Sequence, residues 1–197
     1  MTLAQLKQAF NNALGDPIGT RFDGTADRIF LDCINDSKIW LIPRLPVNLI
    51  PGLQGEVSTT GNVSALAFPT DYFCSPSLEF NSLEATYYPR KKLTLMKNHY
   101  YASSDTDPCW TIRNGKYEVL HSFAAKNIKF RYIKSLTRDV ITDVPEIAQQ
   151  ILLDRMLGWI KQYDREWEDA KVNLEKAEQG IIALGGKTVL EIYQEGE

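Results

Sequence analysis

The chain has 197 residues, 44% hydrophobic and 24% charged, with a formal net charge of −3. That balance excludes a chain dominated by disorder and gives no general attraction for nucleic acid. No stretch approaches the roughly 18 consecutive apolar residues that a membrane span needs, and Met1 to Leu14 carries neither a basic leader nor a continuous apolar block, so a product made in the cytoplasm is expected.

Thr2 followed by Gln5 is a capping-box spacing, and Leu3, Leu6, Phe10, Ala13 and Leu14 then mark one apolar helical face that Gly15-Asp16-Pro17 stops. A second helix is predicted from Thr25, carried by Ile29, Phe30, Cys33, Ile34, Trp40 and Leu41 toward Pro43, whose ring and missing N–H prevent continuation. Together these predict an N-terminal helical hairpin.

Pro43, Pro46, Pro51, Gly52 and Gly55 mark an extended connector into a β region at about 55–135. Val57-Ser58-Thr59-Thr60 reads as a strand ending at Gly61-Asn62, and residues 63–68 as a strand or extended arm closed by Pro69-Thr70-Asp71. Ser77 to Phe80 and Glu84 to Tyr88 are weaker strand candidates, and Arg90 to Lys97 a short helix. Trp110 to Arg113, Asn114-Gly115 and Lys116 to Leu120 predict a hairpin, because both central residues of a type I′ turn need positive φ. Asn127 to Ile133 alternates Ile128, Phe130 and Tyr132 with polar residues and supplies a third strand.

From Asp143 to Ile181, apolar residues recur at steps of three and four, from Val144 and Ile147 through Trp159, Trp167 and Leu174. Asp143 suits the N-cap, with Pro145 and Glu146 in the first turn. An unbroken helix here would extend on the order of 55 Å, more apolar face than a small core covers, so part of it would meet another chain. A break near Gln162 to Asp164, where the spacing is loosest, gives a helix pair instead. Gly180 or Gly185-Gly186 stops the helix, and residues 186–197 form an extended tail containing the alternating Thr188 to Tyr193.

Compact chemistry is hard to find. Gly180 to Thr188 resembles a phosphate loop only superficially, because the required glycine position holds Ile181 and the segment follows a helix. His99 and His121 belong to no catalytic motif. Cys33, Cys74 and Cys109 are widely spaced, without a CxxC, and read as buried thiols. Asp71, Asp105, Asp107 and the acidic run Asp164 to Asp169 are abundant but unpaired in any predictable way. Tyr87, Tyr88, Tyr100, Tyr101 and Trp110 lie near Arg90, Lys91, Lys92 and Lys97, yet read better as core or interface aromatics than as a base-stacking platform. No catalytic, cofactor-binding or metal-binding residue is expected, and a hydrolase would need a site that converges only in three dimensions.

The order of elements resembles the head-to-tail adaptor, or connector, proteins of tailed bacteriophages. The resemblance is carried by Leu66-Ala67-Phe68-Pro69-Thr70-Asp71-Tyr72, the Asn114-Gly115 hairpin, the strand Phe130-Arg131-Tyr132-Ile133 and the closing helices, and covers about residues 1–182. It implies an α+β, mainly helical fold forming one adaptor-like domain over residues 1–185, with an inserted antiparallel β region. It further implies a virion neck protein that forms a ring of about twelve copies and joins the portal to a downstream neck or tail protein. DNA would pass through without sequence-specific binding. Portal contact is expected of Lys187, Thr188, Val189, Leu190, Ile192 and Tyr193, with an added strand on the local sheet as the alternative; inter-subunit packing is expected of Trp159, Trp167, Asn114 and Gly115. A head-completion or tail-terminator protein is the nearest rival.

Overall fold

The structure is a computed structural model that describes residues 1–16, 18–22, 26–61, 65–88, 108–119 and 126–187. It is α+β, with four α-helices and two small sheets among those residues. They fall into two compact units, one from the chain up to Leu53 and from Leu136 onward, the other from Gln54–Ser135. No helix among the described residues is long and apolar enough to cross a membrane.

The helical unit contains α1 (Leu3–Ala13), α2 (Ala26–Leu41), α3 (Gln149–Tyr163) and α4 (Trp167–Ala183). Both bonds of the capping box form at α1: Gln5 N donates to Thr2 Oγ1 at 3.2 Å and Thr2 N to Gln5 Oε1 at 2.7 Å. Leu6 and Phe10 are fully buried, and Phe10 packs on Phe22 and Phe30 at ring distances of 5.4 and 5.5 Å. After α2, Pro43 sits in a 3-10 turn, Ile42–Arg44, where its lack of an amide hydrogen costs nothing that a helix interior would demand.

The Asp143–Ile181 pattern is not one rod. After Tyr163 the chain turns through Arg165, at φ 66°, with Glu166 N bonded to Lys161 O at 2.8 Å and Arg165 N to Gln162 O at 3.1 Å. This is a Schellman ending, which satisfies the last carbonyls of α3 and reverses the chain. Helices α3 and α4 are roughly 22 and 25 Å long and run antiparallel, since Ile151 lies against Gly180, Gly158 against Leu174 and Lys161 against Asp169. The helices approach closely at Gly158, where an added Cβ would stand 2.5 Å from Leu174 Cδ2. Most of the apolar stripe is thereby covered within one subunit: Ile151, Leu152, Met156, Ile160, Ala170, Ala177 and Ile181 are all buried. The expected second chain is therefore not needed to cover the length of this face.

Asp143 is also not the helix cap. The chain enters through a 3-10 turn, Glu146–Ala148, and α3 has no side-chain cap. The Asp143 carboxylate instead accepts Lys38 Nζ at 2.9 Å and Thr137 N at 2.8 Å. Lys38 is 1% exposed and donates as well to Thr137 O at 2.6 Å and Val140 O at 2.8 Å. A buried ammonium needs this full set of acceptors, and that demand outweighs a cap.

The β unit contains two four-stranded sheets. One has the order β1 (Gln54–Gly61), β8 (Lys126–Lys134), β3 (Tyr72–Phe80), β4 (Leu83–Glu84); the other has the order β2 (Ala65–Ala67), β7 (Lys116–Val119), β6 (Cys109–Arg113), β5 (Thr86–Tyr87). The expected all-antiparallel region is corrected at one point: β5 pairs with β6 in parallel. Strands β6 and β7 are joined by Asn114 and Gly115 at φ 51° and 70°, the conformation a two-residue hairpin of this kind requires. Both sheets contribute to one core of Leu78, Phe80, Trp110, Tyr117, Ile128, Phe130 and Tyr132. On β8 the period of two is plain, with Ile128, Phe130 and Tyr132 buried and Lys129 and Arg131 facing outward between Glu79 and Glu56.

Candidate interaction surfaces

Several acidic residues are committed to structural partners. Asp164 pairs with Arg21, Asp169 with Lys161 at 3.1 Å, and Asp71 accepts Tyr132 Oη at 2.7 Å. At Glu79, burial alone would raise the carboxyl, but hydrogen bonds from Lys129 and Arg131 hold it below its ordinary value. Asp154 is raised by burial, and its hydrogen-bond partner is the Gln150 amide rather than a second acid. Among the described residues no three His, Cys, Asp or Glu side chains converge as a metal site. Burial raises the Cys33 and Cys74 thiols, the opposite of what a nucleophile needs. His99, His121, Asp105, Asp107, Tyr100, Tyr101 and the Arg90 to Lys97 segment lie outside the described residues.

Two sequence motifs that are far apart in the chain meet in the β unit. Phe68 stacks on Tyr72 at 4.4 Å and both rings lie on Phe130, at 5.7 and 6.1 Å. Asp71 O takes Ser135 N and its carboxylate takes Tyr132 Oη. The Pro-x-Asp-aromatic segment therefore clips the end of β8. Burial, with the Asp71 hydrogen bond second, pushes Tyr132 up to about 12.

Among the described residues, the α3–α4 turn presents the largest aromatic exposure. Tyr163 and Trp167 are each 63% exposed, and half-buried Trp159 stacks on Tyr163 with centroids 6.0 Å apart and planes 6° from parallel. Tyrosine and tryptophan left in water at a rigid turn are the side chains that most often anchor protein interfaces. Tyr163 was not among the candidate contacts, although its spacing of four from both tryptophans was a usable signal. The hairpin tip is a second exposed feature: Arg113, Asn114, Gly115 and Lys116 all face solvent.

The third feature is the exit of the C-terminal segment. Lys187 N donates to Arg44 O at 2.8 Å and Arg44 Nε to Lys187 O at 2.8 Å. The Arg44 guanidinium, 2% exposed, also pairs with Glu178 and covers the Trp40 ring at 4.3 Å. Arg44 thus fixes the backbone at Lys187. No sequence pattern marks it, since its partners lie more than 130 residues away. Thr188, Val189, Leu190, Ile192 and Tyr193 lie outside the described residues.

No protein-family model matches the chain. No curated protein matches it either.

Proposed function

We propose that the chain is a structural subunit of a tailed-phage neck, forming a homo-oligomeric ring of about twelve copies between the portal and the next neck or tail protein, and that it is not an enzyme. The observation that carries the ring is the aromatic turn. Tyr163 and Trp167 stand mostly in solvent, while most of the helical stripe is covered inside the subunit, so two large aromatic side chains are left where a neighbour can take them. The exposed hairpin at Asn114-Gly115 offers a second contact. A ring of identical subunits is closed by contacts between unlike surfaces.

The neck assignment itself is supported by the resemblance in element order and by the motifs around Asp71 and Phe130. The net charge of −3 suits a channel that passes DNA without retaining it, because basic walls would hold phosphate through counterion release. Residence in the virion follows from this role.

Mixing the full chain with the portal ring of its own virus tests the reading. Rings stacked on the portal in negative-stain micrographs are expected. A chain that neither sediments with the portal nor forms rings overturns it. A second reading, a head-completion or tail-terminator protein, is favoured by the paired sheets of Gln54–Ser135; it predicts binding to the far end of an assembled neck and none to the bare portal.

A further inference from the structure

We propose that the outer edge of β1 accepts the segment Thr188–Tyr193 of a second copy as an added strand. The inference stands apart from the neck assignment, because it concerns only how copies of this chain hold one another. Strand β1 pairs with β8 in unbroken register from Gln54 to Gly61, and no strand among the described residues pairs with its other side. Val57 lies on the core face of that strand, opposite the fully buried Phe130, yet is 38% exposed in the single chain. Among the described residues, the apolar face therefore runs past the last strand without cover.

Natural sheets blunt such edges with proline, lysine, bulges or inward charges. Gly55 to Thr60 contains neither proline nor lysine, and its pairing has no register shift, unlike that of β3 with β8. Its one charge, Glu56, is held by Arg131 at 3.0 Å on the outer face. The edge offers backbone donors and acceptors to any neutral, extended partner.

The chain carries such a partner. Thr188-Val189-Leu190-Glu191-Ile192-Tyr193 is rich in β-branched and aromatic residues, has a single charge and no glycine or proline. It follows directly on Lys187, whose backbone Arg44 fixes. From that anchor six extended residues reach roughly 20 Å. Donor and acceptor are different surfaces of one chain, so exchange between copies is heterologous, with each copy giving one strand and receiving one, and closes into a ring when the rotation permits.

The test uses the full chain and two variants, Val57→Lys, which places a charge on the acceptor edge, and Leu190→Asp with Ile192→Asp, which spoils the donor. Light scattering gives the mass and hydrogen exchange reports the β1 amides. The wild type is expected to assemble with rising concentration while β1 amides gain protection, and each variant alone is expected to lose both. Mixed together, the variants are expected to recover a one-to-one complex with protection confined to β1 of the donor-spoiled partner, which shows that each remains folded. Assembly that survives both variants, β1 protection that persists unchanged in dilute monomer, or protection that arises only with added portal each overturns the proposal.

Discussion

The helical unit and the β unit solve the problem of closure in different ways. The β unit is one continuous stretch, Gln54–Ser135, whose core is a stack of aromatic rings: Tyr117 lies flat on Phe130 at 4.3 Å, and Trp110 meets the same ring edge-on at 6.4 Å. The helical unit is assembled from the two flanks of the chain, and its distant pieces are tied by buried polar groups. Lys38 reaches the 137–143 loop, Asn35 pairs with Asp139, and Arg44 holds Glu178 and Lys187. Apolar burial supplies most of the driving force in both, but it is non-directional. Where the partners are a hundred residues apart, hydrogen-bonded charges fix which segment docks where.

Removing a tie and removing a ring should therefore do different damage. Lys38→Ala leaves the Asp143 carboxylate and two carbonyls without their donor, and should cost about 3–5 kcal/mol, with hydrogen exchange rising in the helical unit rather than in the sheets. Phe130→Ala should cost a similar amount, about 3–5 kcal/mol, with the loss confined to β-unit amides. If both variants loosen both units equally, the contrast between them is wrong.

Gly158→Ala sharpens the account of the helix pair. Alanine is the better helix former by about 1 kcal/mol, yet its methyl would meet Leu174 Cδ2 at 2.5 Å and Leu174 N at 3.3 Å. A net loss of about 1–2 kcal/mol by denaturant titration is expected; a gain would show that the helices are not so closely apposed.

An alkaline titration separates the units more gently. Burial pushes Tyr72, Tyr117 and Tyr132 up to about 12, whereas an unfolded tyrosine titrates near 10. The folded β unit holds these protons more tightly, so this contribution is complete below pH of about 10 and is lost as pH rises toward about 12. The β-unit melting temperature should fall across that window, and Tyr132→Phe should flatten part of the decline.

How far the sequence revealed the fold depended on whether a local residue type announced each event. Three helices end in the same Schellman geometry. At α1 and α4 the left-handed position holds Gly15 and Gly185, and both stops were readable. At α3 it holds Arg165, which no residue type announces, so the reversal showed only as the loosened spacing near Gln162 to Asp164 and left one rod or a helix pair both open. The Asn114-Gly115 turn was visible in its residue types, whereas the α3–α4 turn was legible only through spacing. Asp143 misled because a good capping residue can be claimed by a buried lysine a hundred positions away. At the candidate surfaces, Trp159 and Trp167 were legible as members of the stripe, but exposure is a property of the folded turn, and only the break at Arg165 leaves Trp167 and Tyr163 in solvent. Arg44 had no sequence signal, because its hydrogen-bond partners Glu178 and Lys187 are distant.

The central claim is that the exposed aromatic pair at the α3–α4 turn serves contact between copies, and the direct measurement is the mass of the full chain beside a Tyr163→Ala, Trp167→Ala variant. Because both side chains are 63% exposed, the variant should keep its thermal stability, within about 0.5 kcal/mol per substitution, while its rings fall apart into single subunits. Rings that persist unchanged, or a variant that unfolds instead of dissociating, would contradict the account.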